Sequence, residues 1–261
     1  MRIASLGHAV FATTLISIGI LGFVKGDFIQ IWQPTPKDLP GREVLVYLCA
    51  FVPLVCGIGF FWPRTAAPAA RLLFAYFLLW WLLFKLRFIF LAPTSEGVYQ
   101  TNGQNAVWTA AAWVLYAWFA TDWDRRRLGF ATGEKGLHIA RVLYGLAMLA
   151  FGFSHFAYFN LTAPIVPSWL PWHTFWAYFT GVAYLAAGAG ILSGVYGRLA
   201  ATLSAVQIGG FTLLVWPTLM LAGTITAPQW GEFTASVVLM ASAWVVADSY
   251  RGMRWFAVGK R

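Results

Sequence analysis

The chain of 261 residues is 60% hydrophobic and only 10% charged, with a formal net charge of +9 and a mean hydropathy of +0.68. Soluble domains carry about 25% charged residues, so this composition excludes an ordinary water-soluble enzyme. The positive charge does not indicate nucleic-acid binding, because the basic residues lie between long apolar runs that leave no soluble domain for such a module.

Eight apolar runs predict an all-α, polytopic transmembrane helix bundle of about eight helices. A helix needs roughly 20 apolar residues to cross a bilayer, and continuous rather than alternating runs favour helices over barrel strands. Segments rich in Pro, Gly and charged residues separate the runs, as expected for turns. The predicted spans are residues 4–24, 44–62, 70–91, 104–121, 137–158, 174–193, 198–221 and 232–249.

The Lys and Arg residues predict the orientation of these spans. Thirteen of them fall on one side of the predicted spans and five on the other. Because basic residues concentrate in cytoplasmic loops, both termini are expected in the cytoplasm. We therefore predict a multi-pass protein of the inner (cytoplasmic) membrane, with the lipid bilayer as its main partner and no nucleic-acid partner. The loops expected to face outward are 25–43, 92–103, 159–173 and 222–231.

The two halves of the chain resemble each other around their first turn. The matching pairs are LGFVKGDF (21–28) with FGFSHFAY (151–158), and PKDLPGREVLVY (36–47) with PSWLPWHTFWAY (167–178). This alignment places Lys25 opposite His155 and Arg42 opposite His173. A duplicated four-helix unit is the simplest origin of such a pattern.

The duplication predicts the domain organisation. Residues 1–124 would form a first, degraded four-helix unit, 125–136 a basic cytoplasmic linker, and 137–261 a second four-helix unit. Because each unit contains an even number of spans, both would insert with the same orientation, as two parallel repeats.

Residues 155–194 resemble the DoxX-like membrane proteins, which carry a His-Phe pair near a helix end, a V-P-x-x-L-P loop, and a helix with a Tyr and several glycines. The residues that carry this resemblance are His155, Phe156, Val166, Pro167, Leu170, Pro171, Tyr178, Gly181, Gly188 and Gly190. The surfeit-locus cargo receptors resemble the same class more distantly. Many family members have a Glu shortly after the glycine of the second helix, where this chain has Tyr184.

The resemblance implies a four-helix membrane unit, so that this chain would be a tandem fusion. It also implies a role as a membrane subunit of a redox system, as in thiosulfate:quinone oxidoreductase, or as a partner of redox enzymes. A quinone would then be the expected lipophilic ligand.

Two histidines and a lysine mark the outward helix ends as candidate ligand-binding positions. Lys25 and His155 each end a long apolar run, where a lysine can extend its charged end to the interface. A histidine there can hydrogen-bond its own helix or water, or donate to a ligand such as a quinone carbonyl. His173 is the second candidate, and no metal site is predicted because only these two histidines could share one.

Lys85 and Arg87 lie inside an apolar run, where a charge is costly unless it reaches the interface, pairs or faces water. They are two residues apart and therefore point to different helix faces. One of them could face an outward cavity and pair with Glu96, Glu232 or Asp27. Glu232, also a candidate ligand-binding residue, could instead stabilise the N-terminus of the last helix.

Three functions remain open on the sequence. The first is a membrane component of a redox system that binds a quinone or another lipophilic ligand. The second is a small-solute transporter. The third is a non-catalytic scaffold whose basic loop, with Arg125, Arg126 and Arg127, docks a soluble redox enzyme. The chain carries no catalytic motif, so whether it is itself an enzyme stays open.

Overall fold

The computed structural model describes residues 4–167 and 169–259, except for the side chains of Glu96, Leu161 and Ile165. These ranges form a bundle of long α-helices, with no β-strand among the residues described. The long helices are α1 (Leu6–Lys25), α2 (Arg42–Gly59), α3 (Pro63–Trp81), α4 (Glu96–Phe119), α5 (Gly133–Ala157), α6 (His173–Ser193), α7 (Gly197–Leu221) and α8 (Ala227–Asp248). The predicted all-α helical bundle is confirmed.

The helix α3 is prolonged by a π-helical turn at Leu82–Leu86 and a last turn at Phe88–Leu91. Several helices begin before the predicted spans, most clearly α3 at Pro63 and α4 at Glu96. Proline is favoured in the first turn of a helix, and polar residues are compatible with helical backbone. Hydropathy alone therefore places these starts too late.

Seven helices are long and apolar enough to cross a membrane, with α3 counted through Leu91. They carry large apolar side chains that are strongly exposed, such as Val24, Phe90 and Leu221. Exposed apolar surface of this extent indicates contact with lipid rather than water. The protein is a multi-pass membrane protein.

The remaining long helix, α4, is less apolar and lies inside the bundle. It packs against α3, α5 and α8, and its residues 105–112 are all buried. Eight consecutive residues cover more than two helical turns, so this part of α4 is enclosed on every side. Asn102 shows how a polar residue is tolerated there, because its amide donates to Val98 O and Lys85 O and accepts from Trp81 Nε1 at 2.7 Å.

Each long helix packs against the next one along the chain, and the last helix, α8, packs against the first, α1. The central helices α4 and α8 also contact each other across the bundle. Between α4 and α5 lie a short helix, Asp122–Arg127, and a 3-10 turn, Gly129–Ala131. They cover half of the segment 125–136 that is predicted as a basic linker, and α5 begins within it at Gly133.

Candidate functional site

A cleft of about 160 Å³ opens between α5, α6, α7 and the loop that joins α5 to α6. Trp169, which is 62% exposed, and Leu214, which is 53% exposed, line the cleft, so it opens to the protein surface. A cavity of roughly 150 Å³ can hold a single six-membered ring. The remaining lining is largely apolar, with polar side chains of His155, Thr162, Thr180 and Gln207.

His155 contributes its imidazole to this cleft from the last turn of α5. Its Nδ1 lies 2.9 Å from Phe151 O, and a carbonyl oxygen can only accept, so Nδ1 carries the proton. In the neutral ring Nε2 is then an acceptor, and it has no hydrogen-bond partner among the described residues. The ring centroid lies 5.3 Å from that of Tyr184, which supports the imidazole from α6. His155 can therefore accept a hydrogen bond from a hydroxyl group in the cleft.

Trp176 and Gln207 add polar groups from the neighbouring helices. Gln207 Nε2 donates to Thr180 O at 3.1 Å, which fixes its amide between α7 and α6. The indole Nε1 of Trp176 is buried without an acceptor in the described part of the chain. Since a buried unpaired donor is costly, a ligand oxygen that reached it would gain a hydrogen bond.

His173 does not belong to the cleft. It is the first residue of α6, half-buried, and lines none of the cleft wall. The residue before it, Trp172, has a left-handed backbone with φ of 59°. His173 therefore marks the helix start, and its ligand-binding role stays a prediction.

Lys85 binds the backbone of a loop that packs into the first half of the bundle, which we define as residues 28–34 and call the inserted loop. Lys85 is 1% exposed, and its Nζ donates to Trp32 O at 3.0 Å and Pro34 O at 2.6 Å. The Trp32 side chain is itself buried and packs on Trp80 with ring centroids 5.2 Å apart. Backbone carbonyls inside a membrane bundle need internal donors, and the lysine ammonium supplies them.

Arg87 lies two residues after Lys85 and makes no hydrogen bond or ion pair with this loop in the described part of the chain. It is exposed, and its guanidinium carbon lies 5.1 Å from the Phe88 ring centroid. Neither Lys85 nor Arg87 lines the cleft that contains His155. Lys85 is sealed behind the inserted loop, and Arg87 lines neither that loop nor the cleft.

Lys25 and Glu232 also hold the loop that enters the first half. Lys25 Nζ donates to Phe28 O at 2.9 Å, and Gln30 Nε2 donates to Glu232 Oε1 at 3.0 Å. The capping box of α8 is formed by Thr226 and Gln229, so Glu232 does not cap this helix. The Glu96 side chain, the other proposed partner of Lys85, lies outside the described residues.

A further ion pair fixes the start of the same loop. Asp27 pairs with Arg42 at 2.9 Å and accepts from the backbone N of Phe28. Lys25, Asp27, Lys85 and Glu232 are therefore all engaged with one loop or its start. Of the six predicted ligand-binding residues, His155 is the one that lines the cleft.

The sequence analysis missed Trp176 and Gln207 as site residues. Both lie in helices that read as uniformly apolar, and contact across α6 and α7 is what brings them to the cleft. Gln207 was visible as an isolated amide in an apolar run, a signal that a polar partner lies within the membrane. No comparable signal singles out Trp176 among fifteen tryptophans.

Asp124 anchors the short basic helix at the other end of the bundle. Its carboxylate accepts two hydrogen bonds from Arg71 at 2.8 and 2.9 Å, one from Tyr116, and two from Thr121. The hydrogen bonds of Arg71, followed by those of Thr121 and Tyr116, hold the pKa of Asp124 well below its usual range. Arg125, Arg126 and Arg127 are exposed on this helix.

One protein-family model, described as a domain of unknown function (DUF8561), matches residues 144–247. The matched segment begins in α5 and ends in α8, so it includes His155, Trp176 and Gln207. No curated protein and no solved structure matches the chain.

Proposed function

We propose that this membrane protein binds a lipophilic ligand with an oxygen-bearing ring, of the quinone or quinol class, in the cleft beside His155. The observation that carries the proposal is the imidazole in the cleft, whose Nε2 is left as an acceptor by the Nδ1 contact with Phe151 O. A ring carbonyl of the oxidised quinone needs a hydrogen-bond donor instead. The indole Nε1–H of Trp176, which has no acceptor among the described residues, is the proposed donor.

The dimensions and position of the cleft support the same ligand class. Its volume of about 160 Å³ suits one ring, since a cavity of roughly 150 Å³ holds benzene. Exposed apolar side chains at its mouth, such as Leu214, would let an apolar tail continue into lipid. A small water-soluble ligand would gain little from this lining.

Binding of a short-tailed benzoquinone to the protein in lipid nanodiscs tests this proposal. We expect His155→Phe to weaken binding of the reduced quinol by about three- to tenfold, the effect of one hydrogen bond. His173→Phe is the matched control, because it changes a half-buried histidine near the same loop but outside the cleft. Equal affinities of the two variants, or no binding by the natural chain, would overturn the proposal.

We also propose a family and a cellular location for the protein. The DoxX-like resemblance of residues 155–194 supports a membrane subunit of a redox system, in the inner membrane with both termini in the cytoplasm. The transporter alternative draws on the parallel repeat and on charge inside the membrane, and the charge of Lys85 is engaged by loop carbonyls.

The exposed arginines of the short helix between α4 and α5 favour a second candidate function, that of a scaffold. The helix Asp122–Arg127 presents three exposed arginines, and buried Asp124 fixes it to α3 and α4. We propose this surface as the docking site for a soluble redox enzyme. Crosslinking in whole cells should capture an oxidoreductase with the natural chain but not after Arg125, Arg126 and Arg127 are changed to Gln. An unchanged yield would reject this function.

A further inference from the structure

A second and larger depression, which we call the groove, lies between α7 and α8. Its volume is about 530 Å³, within the roughly 300–1,000 Å³ typical of ligand sites. Thr202, Val206, Gly209 and Leu213 line it from α7, and Met240 and Trp244 line it from α8. The groove lies on a different face of α7 from the cleft and shares with it only Gly210.

The missing side chain of Gly209 helps to form the groove. A Cβ at this position would meet its nearest neighbour, Met240 Cγ, at 3.6 Å, an ordinary contact. Glycine here is therefore not required by close helix packing, in contrast to Gly57 of α2, whose added Cβ would lie 2.6 Å from Ala12 O of α1. Its effect is to leave open space along a lipid-facing helix, beside the exposed Val206 and Leu213.

The groove has the length of one membrane leaflet. From Arg198 to Leu213 the α7 helix advances fifteen residues, which is about 22 Å at 1.5 Å per residue. Half of a bilayer about 40–45 Å thick, headgroups included, is about the same. The groove thus extends from headgroup level at Arg198 towards the middle of the membrane.

The headgroup end of the groove carries two arginines and a tryptophan. The Arg198 guanidinium lies 4.0 Å from the Trp255 ring centroid, and its Nη1 donates to Met253 O at 2.6 Å. Its other N–H groups have no acceptor among residues 4–167 and 169–259. Arg251 pairs with Asp248 at 2.9 Å and is 55% exposed.

Asp248 is the one carboxylate that lines the groove. Its Oδ1 is paired with Arg251, and its Oδ2 accepts from Gly7 N at 3.2 Å. Two guanidinium groups against one carboxylate leave this end with a net positive charge of one. Both arginines retain donors, since a guanidinium has five N–H groups.

We propose that the groove binds an anionic phospholipid of the leaflet on the arginine-rich side, with its phosphate on Arg198 and Arg251 and one acyl chain along α7 to Leu213. Basic residues at the membrane surface attract anionic headgroups, and guanidinium groups match phosphate oxygens in charge and geometry. Trp255 belongs at headgroup level, where tryptophan is enriched. The proposal is independent of the cleft and its ligand.

Native mass spectrometry of the detergent-purified protein, titrated with phosphatidylglycerol or phosphatidylcholine of the same acyl chains, tests this site. We expect one phosphatidylglycerol to bind in preference to phosphatidylcholine. Arg198→Gln should weaken phosphatidylglycerol binding about fivefold, the effect of one basic residue near a headgroup. Arg254→Gln is the matched control, because Arg254 is exposed nearby but does not line the groove.

A second pair of variants tests the acyl-chain part of the groove. Val206→Trp should fill it and reduce binding, whereas Leu203→Trp, at an exposed α7 position outside the groove, should not. Thermal unfolding of each variant checks that the fold is retained. Equal binding of both lipids, or equal effects of the two variants in either pair, would overturn the proposal. A natural chain that is dimeric and becomes monomeric in Val206→Trp would also overturn it, because a second copy of the chain would then occupy the groove.

Discussion

Two polar residues inside the first half of this bundle, Lys85 and Asn102, donate their hydrogen bonds to backbone carbonyls. Lys85 donates to two carbonyls of the inserted loop, and Asn102 donates to two carbonyls and accepts from an indole. In lipid, unpaired backbone groups are costly, so such side chains stabilise irregular segments. A charged residue in an apolar run therefore does not by itself identify a ligand site. His155 differs because one of its ring nitrogens remains available in a cleft.

Replacing Lys85 with Leu should destabilise the protein. The carbonyls of Trp32 and Pro34 would lose their donor inside the bundle, at a cost of about 2–4 kcal/mol. Arg87→Leu is the control, since Arg87 is exposed two residues away, and it should change stability much less. Unfolding in detergent micelles measures both. Equal stability of the two variants would mean that Lys85 does not hold the inserted loop.

Asp124 should make stability depend on pH in the acidic range. Its folded-state pKa is lowered by Arg71, Thr121 and Tyr116. A lowered pKa gives stability that is fully present above the unfolded value of about 4 and is lost as the pH falls towards the folded value. Asp124→Asn should therefore cost about 1–3 kcal/mol at neutral pH.

The measurement is the difference in unfolding free energy between Asp124→Asn and the natural chain at several pH values. The difference should shrink as the pH falls below about 4. Asp122→Asn is the control, because Asp122 is exposed and pairs with Arg125 at 3.5 Å. A difference that stays constant with pH would contradict this role of the Asp124 carboxylate.

At the scale of the elements, small residues set how closely the helices approach. A Cβ on Gly57 of α2 would lie 2.6 Å from Ala12 O of α1, and one on Gly152 of α5 would lie 3.0 Å from Gly181 O of α6. Membrane helices associate largely through such close backbone contacts. The sequence presents these glycines but does not say which of its 25 glycines are interface positions.

Gly57→Ala should separate α1 from α2 and destabilise the bundle by about 1–3 kcal/mol, the cost of overpacking. Gly210→Ala is the matched control, because nothing lies within 4 Å of its added Cβ. It should be neutral or stabilising, since alanine is favoured over glycine in helices by about 0.5–1 kcal/mol. The opposite order of the two melting temperatures would contradict this packing.

The inserted loop is the element that sequence reasoning could not place. Its residues Phe28, Ile29, Ile31 and Trp32 lie in a segment that also contains several prolines and charges, which reads as an exposed turn. Their burial follows from contacts with α8 and α3, as the packing of Trp32 on Trp80 shows for α3. Such contacts depend on tertiary structure, which local composition does not encode.

At the scale of the whole molecule, the helices pack in the same order in the two halves of the chain. The sequence of contacts from α1 to α4 is repeated from α5 to α8, and the equivalent helices α4 and α8 meet at the centre. Gly41 and Trp172, which the alignment pairs, both have left-handed backbone immediately before a helix. Two parallel four-helix repeats remain our proposal for this arrangement.

The fold class was predictable because long apolar runs have few solutions in a bilayer. The site was predictable only in part. His155 could be predicted as a site residue because it lies at the end of an otherwise apolar helix. That Lys85 lies outside the cleft depends on the tertiary packing of the loop in each half. In the first half the loop is inserted, whereas in the second the corresponding loop leaves a cleft.

The proposed orientation can be tested by labelling with a membrane-impermeant thiol reagent in intact cells. Both native cysteines are buried, so a variant with Cys49 and Cys56 changed to Ala provides the background. If both termini are cytoplasmic, Lys37→Cys should react in intact cells, and Arg126→Cys should react only after lysis. The reverse pattern would invert the topology.

The central claim is that the cleft beside His155 receives the ring of a lipophilic ligand. A benzoquinone with a photoreactive group next to its ring, crosslinked in native membranes and mapped by peptide mass spectrometry, tests it most directly. We expect labelling concentrated in residues 162–180 and 207–215, blocked by excess unlabelled quinone and reduced in His155→Phe. Labelling spread evenly over the lipid-facing helices, or unaffected by competitor, would contradict the account.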